Sequence, residues 1–350
     1  MRAWEKNFRD VEPYTPGEQP QRKVIKLNTN ENPYPPSPAV MEVLRSMDTE
    51  AFRKYPDPNA SRLVNAIAEY YGIPAERVFV GVGSDDVLGM AFLTFFNGPD
   101  PVLFPNITYS FYDVWAELFR VPYETQALDE NFEIRTEDYR KRNGGIVIAN
   151  PNAPTGVMLP LEKIEEIVRN NQESVVIIDE AYVDFGGVSA LPLTEKYENL
   201  LVVQTFSKSR SFAGVRIGFA MGHPGLIRAL NNVKNSYNSY TLGTPSILLA
   251  EAAVRDRAYF DETRARVMAT RERVKKELRA LGFTFGDSKS NFIFAKREGT
   301  DAEALFKALK EADIFVRYFK KPLISDYLRI SMGTDEEMDI FLAFLKDYLG

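Results

Sequence analysis

The chain has 350 residues, 45% hydrophobic and 26% charged, with a formal net charge of −6; this is ordinary globular material, enough for about two domains, and it lacks the long basic run that nucleic acid requires. Cysteine is absent and histidine occurs once, which excludes a disulfide framework, a thiolate nucleophile, a zinc–thiolate cluster and a multi-histidine metal site, so no metal is expected. A histidine triad would have to use His223, which sits between Gly222 and Pro224 in a turn-like setting suited to capping or solvent, so proton chemistry falls to lysine, tyrosine or a carboxylate.

The first forty residues are extended and proline-bearing, as in Asn30-Glu31-Asn32-Pro33-Tyr34-Pro35-Pro36-Ser37-Pro38, and read as an arm over 1–40. Residues 1–20 lack the apolar core of a signal peptide, and no apolar stretch approaches the roughly 20 residues that span a bilayer. A cytoplasmic protein without membrane or nucleic-acid partners is therefore expected. From 41 to 250 short apolar strands alternate with helical patterns. The strands are Arg77–Gly81, Pro101–Phe104, Gly145–Ala149, Ser174–Ile178 and Leu200–Gln204, and the run Leu161–Val168 has helical periodicity. Strands apolar on both faces and separated by helices predict a mainly parallel sheet covered on both sides, an α/β fold. After Thr244 one long helical stretch runs to Ala280. Strands near Asn291–Phe294 and Asp326–Ile330 then flank a helix Ala302–Ala312, and Asp335–Leu349 closes the chain. This predicts a smaller α+β domain over 251–350, entered by the long helix and joined by the arm.

Ligands of such sheets sit at the carboxyl ends of the strands, so the residues there carry the chemistry. After Arg77–Gly81 comes Val82-Gly83-Ser84-Asp85-Asp86 and then a helix, either an N-cap or an anion site of backbone N–H groups. A dinucleotide-type Gly-x-Gly-x-x-Gly is not formed, since Asp86 fills its last position. Tyr109 follows the next strand, where its face can stack on a ring or simply pack. The strand Gly145–Ala149 ends in Asn150-Pro151-Asn152-Ala153-Pro154-Thr155-Gly156, a sharp turn with two amides, either of which can reach a phenolic oxygen. Asp179 follows a strongly apolar strand, where a carboxylate needs a cation or donors; a protonated pyridine nitrogen is such a partner, and a capping role is the alternative. Tyr182 can offer its hydroxyl to the same ring or be a half-buried core tyrosine. In Thr205-Phe206-Ser207-Lys208, followed by Gly214 and Arg216, a lysine amine stands between hydroxyls and a guanidinium suited to a phosphate dianion; the plain alternative is a polar surface loop.

In this order, Gly83-Ser84-Asp85, Tyr109, Asn150 to Gly156, Asp179-Glu180-Ala181-Tyr182 and Thr205 to Lys208 with Arg216 resemble the pyridoxal-phosphate aminotransferases of fold type I. Val11-Glu12-Pro13-Tyr14-Thr15-Pro16-Gly17, Lys26 to Tyr34, Tyr55-Pro56-Asp57-Pro58 and Tyr327 to Thr334 bring the resemblance closest to the histidinol-phosphate aminotransferases, a class II subgroup, over nearly the whole chain. The resemblance implies a large domain on a mainly parallel seven-stranded sheet flanked by helices, with a smaller α+β domain. It implies that Lys208 forms the internal aldimine with pyridoxal 5'-phosphate and shuttles protons. Asp179 would hold the pyridine nitrogen, Tyr182 and Asn152 the ring oxygen, and Tyr109 the ring face. Gly83, Ser84, Asp85, Thr205, Ser207 and Arg216 would hold the phosphate, with Tyr55 reaching across a homodimer to the partner's cofactor.

Arg329 would pair with the α-carboxylate of glutamate, and Tyr14, Asn32 and Arg317 would meet the rest of the substrate. The implied reaction is ping-pong transamination of L-histidinol phosphate with 2-oxoglutarate. Aromatic aminotransferases and threonine-phosphate decarboxylases share the scaffold, and a non-catalytic cofactor-binding protein is a further alternative. One departure is visible. The commoner family loop has two adjacent asparagines before Pro-Thr-Gly, and here the second is Ala153, so the amide must come from Asn152 or Asn150.

Overall fold

The computed structural model describes residues 2–350. In the arm, β1 (Ile25–Lys26) precedes helices α1 (Pro38–Ser46) and α2 (Ser61–Tyr71). The chain continues through β2 (Val78–Gly81), α3 (Ser84–Phe95), β3 (Val102–Pro105), α4 (Tyr112–Phe119), β4 (Tyr123–Gln126), β5 (Gly145–Ala149) and α5 (Leu161–Asn170). Then come β6 (Val176–Asp179), β7 (Leu200–Thr205), β8 (Gly218–Gly222) and α6 (Pro224–Tyr237). These strands form one seven-stranded sheet in the order β2-β8-β7-β6-β5-β3-β4. Only β8 runs against its neighbours, β2 and β7; the other pairings are parallel.

The period-two pattern of the strands decides which layer each residue joins. Ile146 and Ile148 of β5, with Ile178 and Val202, pack into one core with Ile164 and Ile167 of α5. Val147, between them, joins Ile177, Leu201 and Val203 in the core on the other face, against α3 and α4. Both faces are dry, as the apolar runs require. Strand β8 was not read from the sequence because Gly218-Phe219-Ala220-Met221-Gly222 is bounded by glycines, which strands usually lack. Gly218 has a specific cause: a Cβ there would collide with the backbone of Gly83 and Ser84. The strand thus passes directly beneath the loop that opens α3.

The helix expected from Thr244 to Ala280 is two helices, α7 (Thr244–Arg255) and α8 (Arg257–Ala280). They part at Asp256, whose carboxylate accepts the Tyr259 N–H (3.3 Å) and caps α8. Periodicity alone does not register such a break, because a single residue, Asp256, separates the two helical runs. His223 caps α6, its Nδ1 accepting from Gly225 N–H at 3.1 Å, as its turn-like setting suggested.

Beyond α8 lie β9 (Phe283–Phe285), β10 (Phe292–Arg297), α9 (Ala302–Glu311), β11 (Ile314–Phe315), β12 (Arg317–Tyr318), β13 (Leu328–Ser331) and α10 (Asp335–Leu349). An antiparallel sheet β12-β13-β10-β9 packs a further core with Val274, Leu305, Phe341 and Leu345, into which Tyr182 and Phe185 reach from beyond β6. The arm is fastened here through the parallel pair β1–β11. Arg271 of α8 ties this layer to the large sheet: its Nη1 donates to the carbonyls of Phe185 (2.7 Å) and Ser290 (2.8 Å).

Candidate active site

The parallel strands present their carboxyl ends along one edge, and one cavity opens there. It is lined by Ser84 and Asp85 after β2, Tyr109 after β3, and Pro151 and Ala153 after β5. Asp179, Ala181 and Tyr182 enter from β6, and Ser207, Lys208 and Arg216 from the segment after β7. Residues more than a hundred positions apart meet because each stands just past the end of a neighbouring strand.

Asp179 is the last residue of β6 and is buried. Its Oδ2 accepts the Tyr112 hydroxyl at 2.8 Å and its Oδ1 the Ala181 N–H at 3.2 Å. Burial outweighs these donors and pushes the carboxyl up to about 6. An acid so placed favours a cation beside it. Tyr112 was missed in the sequence; it lies three residues beyond Tyr109, and only the start of α4 turns it onto Asp179. Its own phenol is pushed far up by burial and by that carboxylate.

At the other end of the cavity, Ser84 begins α3, a twelve-residue helix whose free N–H groups and dipole favour an anion. Gly83 has φ +86°, and a Cβ on it would stand 2.5 Å from Arg216 Nη2. Arg216 Nη1 donates to Ser207 Oγ at 3.3 Å and Nη2 to Asp85 Oδ2 at 3.2 Å. Asp85 also accepts the Tyr109 hydroxyl at 2.8 Å. Lys208 lines the same cavity, its Nζ donating to the Thr29 carbonyl (3.2 Å) and standing 5.8 Å from the centroid of the Tyr182 ring.

The expected side chains of Asn152, Asn150, Thr205 and Asn32 are not in the lining of this cavity. Asn152 donates to the carbonyl of Ile107 and to Thr155 Oγ1 and accepts from Thr108, so its amide braces the loops around the site. Asn150 is likewise engaged by the Leu159 backbone. The Thr205 hydroxyl donates to Ile217 O and accepts from Ser207 N–H, shaping the lysine loop. Asn32 Nδ2 donates to the Ser209 carbonyl, one residue past the lysine. Asparagine and threonine satisfy backbone at sharp turns as readily as they bind ligands, which the sequence pattern does not separate.

Tyr55 is 82% exposed and stacks on Tyr240, with centroids 4.6 Å apart, on the surface rather than in its own chain's cavity. A second cavity, lined by Tyr14, Thr108, Pro154 and Arg317, adjoins the first, the Tyr14 and Tyr109 rings being 6.5 Å apart. Arg317 and Arg329 face each other directly across β12 and β13. Arg329 Nη2 donates to Asn28 O (2.9 Å), and its buried Nε has no partner.

The chain belongs to the class I and II aminotransferases, whose family model matches residues 22–345; these are pyridoxal-phosphate-dependent transaminases. Within that class it is similar to histidinol-phosphate aminotransferases. It is 51% identical over 348 residues to that of Lactococcus lactis subsp. cremoris (strain SK11), covering 99% of this chain and 98% of the relative. To that of Brachyspira hyodysenteriae it is 52% identical over 340 residues, covering 97% and 96%. The crystal structure of histidinol-phosphate aminotransferase from Sinorhizobium meliloti in complex with pyridoxal-5'-phosphate matches with TM-score 0.85 at 25% identity, covering 94% of this chain and 92% of that one. The same enzyme from Clostridium acetobutylicum matches in fold with TM-score 0.86 at 22% identity, covering 93% and 99%. The cavity suits this cofactor: its lining brings together a buried acid, Asp179, anion donors at Ser84 and Arg216, and the amine of Lys208.

Proposed function

We propose that this chain transfers the amino group of L-histidinol phosphate to 2-oxoglutarate by a ping-pong mechanism in histidine biosynthesis, giving imidazole-acetol phosphate and L-glutamate. The observation that carries this reading is the arginine pair. Like charges directly opposed in a sheet repel, and burial, with a smaller contribution from the Arg317 charge, holds the Arg329 guanidinium below its usual range. Such a pair is stabilised by anions, and each substrate brings one or two: a phosphate, or the two carboxylates of glutamate. Arg329 would take the α-carboxylate. Arg317 and Tyr14 would take the phosphate of one substrate and the distal carboxylate of the other.

Pyridoxal phosphate, when bound, supplies an electron sink for the substrate's α-carbon. The Asp179 carboxylate would pair with its ring nitrogen, and Tyr182 would meet its ring oxygen against the stacked Tyr109. Ser84, Ser207 and Arg216, with the N–H groups that follow Gly83, would hold its phosphate. Lys208 Nζ would take and return the α-proton.

A steady-state panel of histidinol phosphate, phenylalanine, tyrosine and threonine phosphate with 2-oxoglutarate tests this reading. A preference for histidinol phosphate of at least about tenfold, roughly 1.4 kcal/mol, is expected. Carbon dioxide release from threonine phosphate, or a preference for an aromatic donor, would overturn it. Arg317→Ala is expected to raise the KM for histidinol phosphate on the order of 10- to 100-fold, by loss of a charge-assisted contact, with little change for phenylalanine.

We also infer a cytoplasmic homodimer. The exposed Tyr55–Tyr240 stack is consistent with a surface that covers a second copy, and Tyr55 would reach the cofactor phosphate of the partner subunit. Among the described residues no helix is long and apolar enough to cross a membrane. Sedimentation should give a dimer, and Tyr55→Ala should weaken cofactor binding roughly tenfold, the effect of one hydrogen bond to a charged group; a monomer with unimpaired cofactor affinity would refute this. The same reading divides the chain into the arm 1–40, a large domain 41–250 and a small domain 251–350, the second joint falling close to the break at Asp256.

A further inference from the structure

Tyr182 does not stand alone at the cavity wall. Its hydroxyl oxygen accepts a hydrogen bond from Asn30 Nδ2 at 2.9 Å. Asn30 comes from the arm, is 1% exposed, and holds the left-handed conformation with φ 58°. The sense of its amide follows from its neighbours. The Asn30 backbone N–H donates to Ser331 Oγ at 3.0 Å, so the Ser331 hydroxyl must spend its one proton elsewhere, and it donates to Asn30 Oδ1 at 2.8 Å. That leaves Nδ2 for Tyr182. The Asn30 carbonyl accepts from Asn291 Nδ2 at 2.9 Å, closing the clamp from the start of β10.

A phenol oxygen that already accepts from an amide points its own proton away from that amide. For Tyr182, which lines the cavity, the remaining direction includes the place of the cofactor. The loop after β5 lends the cavity only Pro151 and Ala153, since the amides of Asn150 and Asn152 are both engaged elsewhere. Tyr182 thus has no amide beside it from that loop, and the arm provides one from behind.

We propose that Asn30 is a positioning residue for the reaction: held by Ser331, it fixes the Tyr182 hydroxyl as a donor toward the cofactor ring oxygen and couples arm and C-terminal layer to the cofactor's electronics. The inference rests on the placement of Tyr182 beside the cofactor and not on the identity of the substrate. A hydroxyl donating to the ring oxygen favours the form in which that oxygen is fully charged, so weakening the donor raises the pH at which the bound cofactor's visible band titrates.

The test is a spectrophotometric pH titration of the cofactor-loaded enzyme without substrate. Asn30→Gly keeps the left-handed backbone, and Ser331→Ala leaves Asn30 in place but frees its amide. Both should move the midpoint upward, Asn30→Gly by roughly half to one pH unit, the worth of one hydrogen bond. Around Tyr182 the titratable and charged groups are Lys208, Arg329, Tyr109 and Tyr112, with Asp179, Asp85 and Arg216 in the lining of the same cavity, and neither variant replaces any of them. In a Tyr182→Phe background the Asn30→Gly shift should vanish, because the effect passes through that hydroxyl. An unmoved midpoint in both single variants, or an equal shift in the Tyr182→Phe background, would overturn the proposal. Failure of the donor panel would leave this result untouched, so the two readings fail separately.

Discussion

Replacing Lys208 by Ala is expected to lower turnover on the order of 10⁴-fold or more while leaving the protein folded. The loop that carries the lysine is anchored without it. The Arg210 guanidinium lies 4.1 Å from the centre of the Phe260 ring and donates to Ala253 O at 3.0 Å. Ser209 Oγ donates to Asp184 Oδ2 at 2.5 Å, and Phe206 and Phe212 are fully buried. Removing the lysine side chain deletes one bond, to the Thr29 carbonyl, so stability should stay within about 1 kcal/mol of the parent. Pyridoxal phosphate should still bind through the groups at the start of α3 and Arg216, but with the spectrum of the free aldehyde. Lys208→Arg keeps the charge without a usable amine and should be equally inactive, which separates the nucleophile from simple electrostatics. Retained turnover in either variant, measured in single-turnover mixing with glutamate, would remove Lys208 from the chemistry.

How much of this was legible in the sequence depended on whether a residue's role is local. The strands β5, β6 and β7 were readable because each is a short apolar run ending in a sharp polar break, and those breaks are where the cavity lies. Asp179 and Lys208 stood out for the same reason: a carboxylate and an amine just past strands that leave them little water. Strand β8 was hidden because its first glycine, Gly218, answers to the Gly83–Ser84 backbone crossing above it, a contact more than a hundred residues distant. Tyr112 and Asn30 were also unmarked. Each acts on a side chain from another segment, Asp179 or Tyr182, and no spacing within one segment encodes that. Asn152 shows the opposite case, a conspicuous amide in the right loop whose hydrogen bonds in this structure all go to the scaffold. Turn-forming chemistry and ligand-binding chemistry use the same atoms, and only the fold says which has claimed them.

Asp179→Asn should stabilise the cofactor-free protein and disable the enzyme. The Asp179 carboxyl is raised to about 6 from an ordinary value of 3.8, because burial costs more than the bonds from Tyr112 and Ala181 return. A carboxyl that is a weaker acid folded than unfolded carries an extra proton in the folded state between about pH 4 and 6, so stability falls as pH rises through that window. A shift of about two units corresponds to on the order of 3 kcal/mol lost above it. Glu180, raised to about 7 by burial, acts with the same sign and is unchanged in the variant. Urea unfolding of cofactor-free protein should therefore find Asp179→Asn more stable than the parent at pH 8, by about 1–3 kcal/mol, and nearly equal at pH 4. The loaded parent should recover the difference at pH 8, because a protonated ring nitrogen beside the ionised carboxylate supplies the missing cation. The variant, with a neutral amide there, should gain less from the cofactor and lose activity on the order of 10³-fold. A variant less stable than the parent at pH 8 would mean that the acid is held by more than Tyr112 and Ala181; a variant more stable and still active would mean that the ring nitrogen needs no carboxylate.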